Sequence, residues 1–195
     1  QSQSSMQVPL VLYTPRAFTE VMRDAQFSTG LYYGIVLALL FYNLVLWIML
    51  RDSGYFWYLL HTGAFGMVLF TLNGYGFEYF WPNSAWLADA SVPLSICLAL
   101  VGMQLFTRSF LELQERWPRG NLVSLCVTGF FVVLGVASFW LPYSTATPLA
   151  SRAVLVGVVW IMVATVVMLR RGYKPARLLL LAWSMIGIAS LLLNI

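Results

Sequence analysis

Polar and apolar positions alternate on a long scale in this chain, with apolar runs of about 20 residues or more separated by short polar links. The runs lie at 29–50, 55–77, 87–110, 121–141, 148–170 and 175–195. A helix needs roughly 20 apolar residues to cross a bilayer, whereas a barrel strand needs only about 10 in strict alternation. The pattern therefore predicts six membrane-spanning helices. Residues 1–28 differ: "MQVPLVLYT" alternates loosely and holds β-formers, and "PRAFTEVMRDAQF" is mixed and charged. This part is expected to hold the last strand of an external domain and a linker into the first helix.

Composition supports the same class. Of 195 residues, 61% are hydrophobic and 9% charged, against about 25% charged in a soluble domain. The fold class expected is an all-α integral membrane protein, a helical bundle. The net charge of +4 sits in short links, so it reads as a topology signal rather than a nucleic-acid footprint. Cys97 and Cys126 fall inside apolar runs and read as small core residues. No cofactor or metal is expected. His61 is the single histidine, too little for a metal-dependent hydrolase, and Lys174, the single lysine, is in a link rather than deep in a helix, where a retinal Schiff base would need it.

The distribution of cations sets the expected sidedness. The link after the first run carries Arg51. The link after the third carries Arg108, Arg116 and Arg119, and that after the fifth carries Arg170, Arg171, Lys174 and Arg177. The links after the second and fourth runs carry no lysine or arginine. Basic links mark the cytoplasmic side, which places the N-terminus outside. Pro175 suits the first turn of the sixth helix, where a missing N–H is harmless. The chain opens on Gln1 rather than Met, and stops on "SLLLNI" with no polar flank. It is expected to be part of a longer protein with a seventh helix beyond residue 195.

Ionisable and polar groups at membrane depth are candidates for function, because burying them is costly unless they are paired. His61 lies about 9 Å from the cytoplasmic end of the second helix, and Asn43 at nearly the same depth in the first. The two are expected to face each other or share a partner, either as a structural hydrogen bond or as a protonation switch. Asp89 and Arg152, near the outer ends of the third and fifth helices, are a candidate pair at the outer mouth; the alternative is two independent snorkelling charges. Gln104 and Asn73 are assigned to helix packing. Gly30 and Gly34 form a G-x-x-x-G that lets another helix approach. Trp47, Trp57, Trp81, Trp86 and Trp140 fall near interfaces, as an aromatic belt does.

Several stretches resemble one family. "GLYYGIVLALLFYNLVLWIMLRDSGYFWYLL" at 30–60, "LNGYGFEYFWPNS" at 72–84, "RSFLEL" at 108–113 and "RRGYKPARLLLLAWS" at 170–184 are similar, in order, to the membrane domain of seven-transmembrane receptors with diverse intracellular signalling modules. "VPLVLYTPRAF" resembles the end of that family's external domain. The resemblance implies a bacterial inner-membrane receptor that couples an external sensory domain to a cytoplasmic cyclase, kinase or phosphatase, with homodimerisation plausible. It implies six helices present of seven and no enzymatic activity in this chain. The partners expected are the bilayer and the flanking domains of the same parent chain, with anionic headgroups at the basic links. The rival readings are a small-solute transporter or channel, which needs a polar path or broken helices near the midplane, and a passive anchor.

Overall fold

A computed structural model describes residues 14–182 and residue 184. Among these every regular element is a helix. Helix α1 spans Pro15–Leu50 and α2 spans Ser53–Leu72. A π-helical turn, Gly76–Phe80, precedes α3, Ala85–Phe110. The short α4, Leu113–Arg116, leads into α5, Pro118–Ala137, and α6 covers Tyr143–Arg170. Residues 176–182 begin a further helix. Five helices, α1, α2, α3, α5 and α6, are long and apolar enough to cross a membrane. Most of the sixth expected span, 175–195, lies outside the described residues.

The first helix is longer than its apolar run and takes in residues 15–28 of the expected linker. Thr14 caps it, its hydroxyl accepting from the Ala17 amide at 3.3 Å, and Pro15 takes the first helical position. Both residue types suit those positions. Arg16 and Glu20 pair one turn apart at 3.5 Å. Fourteen extra residues add about 21 Å of mostly exposed helix. Of the strand expected in "MQVPLVLYT", only Thr14 is described.

The ends of α2 and α5 also differ from the apolar runs. Helix α2 stops at Leu72 because Gly74 adopts φ +84°, a left-handed conformation that suits glycine. The chain then winds into the π-turn, closed by the Trp81 amide donating to the Gly76 carbonyl at 3.2 Å. Helix α5 starts at Pro118, earlier than expected, and ends at Ala137.

Helix α3 is the centre of the bundle and packs on α2, α5 and α6, whereas α1 packs on α2 alone. One core cluster joins Cys97 and Leu100 of α3 to Phe131 of α5 and Ala153 of α6. A second joins Leu111 and Leu113, at the α3–α4 corner, to Ile161 and Met168 of α6 and to Ala176 and Leu179. Cys97 is buried as expected, but Cys126 is exposed. The outer belt is greasy: Phe41, Met49, Leu122, Val133 and Leu155 are all more than 60% exposed. Such a surface fits lipid rather than water.

Candidate functional site

The tightest seam runs between α2 and α3. A Cβ placed on Gly102 would lie 2.7 Å from the His61 backbone nitrogen and 3.1 Å from the Trp57 carbonyl oxygen. Only glycine admits that approach. It brings α3 against the face of α2 that carries the His61 ring, and His61 Nδ1 lies 2.8 Å from the Ala99 carbonyl oxygen. A carbonyl can only accept, so the ring carries a proton on Nδ1.

Asn43 makes a different bond. Its amide donates to the Leu39 carbonyl, one turn back on its own helix, at 2.8 Å. The depth expected for Asn43 and His61 follows from residue counting, but their hydrogen bonds go to different carbonyls. On the α1–α2 contact itself, Gly63 meets Leu40 and Gly66 meets Val36. Asp89 and Arg152 are both exposed and form no ion pair with each other. At Gly30 and Gly34 an added Cβ would meet nothing within 4 Å, so no other helix of the described chain uses that motif.

Gln104 supplies the polar link across the α3–α6 contact. It is fully buried, and its amide donates to the Gly157 carbonyl at 3.2 Å. Gly157 permits this, since a Cβ there would press on the Gln104 amide at 3.3 Å. The Gln104 side-chain oxygen and, one turn on, the Thr107 hydroxyl are buried without a hydrogen-bond partner among the described residues. Two other buried hydroxyls bond within their own helices: Thr128 donates to the Ser124 carbonyl and Thr165 to the Ile161 carbonyl.

The basic links meet at one end of the bundle and knit into a clamp. Arg108, in the last turn of α3, donates to the Asn121 side chain on α5 and, at 3.1 Å, to Gln114. Arg116 donates to Glu112 at 2.6 Å, and its guanidinium lies 4.6 Å from the centre of the Tyr173 ring. Arg171 reaches back to the Arg116 carbonyl at 3.0 Å and sits over the Trp117 ring. Trp117 in turn stacks on Trp160 of α6, with ring centres 6.0 Å apart. Gly120 makes room, because a Cβ there would lie 2.2 Å from the Trp117 ring.

Tyr173 completes the clamp. Its hydroxyl donates to the Phe110 carbonyl at 3.1 Å. Partial burial, with the Glu112 carboxylate nearby, pushes the phenol above its ordinary range. Arg51 closes α1 in a left-handed conformation, and Asp52 starts α2 by accepting from the Gly54 amide at 2.7 Å. Arg119, Arg170, Lys174 and Arg177 lie at the same end, in or beside these links. Sequence reasoning found the cations but not the rings that hold them, Trp117 and Tyr173.

The opposite end is aromatic and carries no lysine or arginine in its turns at 73–84 and 138–142. Tyr33 packs edge-on against Phe70 and Tyr75, and its hydroxyl accepts from the Asn73 amide at 3.0 Å. Trp86 donates to the Phe139 carbonyl at 3.3 Å, tying the start of α3 to the turn after α5. The bundle thus has one aromatic end and one cationic end joined by an apolar belt.

Comparison with curated proteins and with solved structures found no match. A family model described as 7TM diverse intracellular signalling matches residues 25–195. The match begins within α1 and takes in the α2–α3 seam, the central helix and the whole clamp. The chain carries a membrane domain, and it belongs to the 7TM diverse intracellular signalling family.

Proposed function

We propose that this chain couples an external sensory domain to a cytoplasmic output domain of the same parent protein, in a bacterial inner membrane. The N-terminus lies on the periplasmic side and the basic end faces the cytoplasm. A transmembrane signalling role follows from the family. The observation that carries the coupling is the packing hierarchy: α1 touches α2 alone, while α2, α3, α5 and α6 share seams and a clamp.

A displacement of α1 meets little resistance, because few of its side chains are buried. It acts on α2 through the Gly63 and Gly66 contacts, and on α3 through the Gly102 seam. Helix α3 carries Arg108 in its last turn and leads directly into the α4 clamp. A stimulus shifts this system only by favouring one packing over another. Buried Thr128 and Thr165 bond within their own helices, a packing use that gives the transporter reading no support.

Inserting one to four alanines between Gln26 and Phe27 tests the coupling. Each insertion rotates the helical extension by about 100° relative to the membrane segment. Output of the full-length protein, read as phosphorylation or cyclic-nucleotide synthesis, is expected to vary with insertion length and to return towards the starting level near four. Output that is indifferent to all four insertions contradicts the proposal.

A further inference from the structure

A cavity of about 710 Å3 opens at the basic-link end, between α1, α2, α3 and the turn at 173–175. That volume is within the usual range of small-molecule sites, roughly 300–1,000 Å3. Its lining runs against its surroundings. The links around it hold most of the chain's cations, yet no lysine or arginine lines it, and two carboxylates, Asp52 and Glu112, do.

The two acids are not equivalent. Glu112 is neutralised by Arg116 at 2.6 Å. Asp52 forms no ion pair among the described residues, its carboxylate holding only the Gly54 amide. Tyr42, Tyr55, Tyr58 and Tyr173 supply aromatic rings to the same wall, backed by Phe106 and Phe110. Ring faces are electron-rich and attract organic cations.

Asn43 gives the third observation. It is 8% exposed, and no other residue of α1 whose burial is described is buried. A polar residue at that position lines the cavity. Its amide is used by Leu39, while its side-chain oxygen accepts no hydrogen bond among the described residues. The wall therefore offers a free acceptor, an unpaired carboxylate and aromatic faces. A second groove, between α1, α2 and α3, contrasts with it: Leu37, Leu40, Phe41, Leu44 and Met67 line it, with Ser95 as its one polar side chain. That one suits an acyl chain, and the first suits a positive charge.

We propose that the cavity bounded by Asn43, Asp52, Tyr42, Tyr55, Tyr58 and Tyr173 binds an organic ammonium ion. The nitrogen lies against Asp52 and Asn43, and its substituents lie against the tyrosine rings. A free amine and the ethanolamine headgroup of a phospholipid share this chemistry. The inference concerns binding alone and stands whether or not the signalling proposal holds.

The test uses the full chain in a neutral maltoside detergent, with tetraethylammonium as probe in equilibrium dialysis. Saturable binding of one equivalent per chain is expected. Asp52→Asn keeps a good helix cap and removes the charge, and it is expected to weaken binding about tenfold. Tyr58→Leu is expected to do the same. Tyr42→Leu, at a position 61% exposed, guards against a folding defect in the Tyr58 variant. Phosphatidylethanolamine is then added as competitor. Displacement of the probe assigns the site to a lipid headgroup, and no displacement assigns it to a free amine; both support the proposal. Absence of saturable binding, or equal binding by the parent and the Asp52→Asn and Tyr42→Leu variants, overturns it.

Discussion

Gly102 of α3 lies directly on the backbone of His61 in α2, close enough that any β-carbon would stand 2.7 Å from the His61 nitrogen. The three nearest atoms there all belong to the backbone, so no side chain can swing aside. The Gly102→Ala variant is expected to lose about 2 kcal/mol of stability, as overpacked interiors do. Gly129→Ala is the control, because an added Cβ there meets nothing within 4 Å. Thermal unfolding in nanodiscs should separate the two clearly, and equal melting points would refute the seam.

His61 donates from Nδ1 to the Ala99 carbonyl at 2.8 Å. An interhelical hydrogen bond of this kind contributes about 1 kcal/mol in a membrane. His61→Leu is expected to cost that much, and His61→Asn less, since its amide can replace the donor. Nitrogen NMR of labelled histidine is expected to report the Nδ1–H tautomer. A dominant Nε2–H form would contradict the bond.

Tyr173 ties the link after α6 to the end of α3. Tyr173→Phe removes a hydrogen bond worth about 1 kcal/mol. The phenol is held above its ordinary value by burial and by Glu112. A raised folded value means that the stabilisation is complete below the unfolded value near 10. It fades as pH climbs through the folded value. Ultraviolet titration should find a phenol ionising above the ordinary range that disappears in Tyr173→Phe and falls in Glu112→Gln. A Tyr173 that titrates with the exposed tyrosines would refute the arrangement.

Thr14 caps the exposed start of α1. Thr14→Ala is expected to cost the extension about 1 kcal/mol. Hydrogen exchange should quicken at 16–20 and stay unchanged within 36–46. Unchanged exchange near the cap would show that the extension is held by something else.

Counting residues sets an expected depth but says nothing of direction around the helix axis. Counting from the links placed Asn43 and His61 at one level. Direction depends on which neighbour comes closest, and a lone glycine, Gly102, decided that by drawing α3 onto the His61 side of α2. The G-x-x-x-G at Gly30 and Gly34, a recognised pattern, stands open. The start of α1 was signalled by Thr14-Pro15, but the mixed polarity that follows hid a helix whose apolar residues, Phe18, Val21 and Met22, stay largely exposed. The basic links were plain because charge in a greasy chain is conspicuous. The clamp they build was not, because Trp117 and Tyr173 act through partners 43 and 63 residues away, Trp160 and Phe110.

Sidedness carries the whole account, and thiol labelling in spheroplasts measures it most directly. Cys97 and Cys126 are replaced, and single cysteines are placed at Lys174 in the basic end and at Asn83 in the aromatic end. A membrane-impermeant maleimide is expected to label the Asn83→Cys protein in intact spheroplasts, and the Lys174→Cys protein only after lysis. Labelling of Lys174→Cys before lysis would contradict the account.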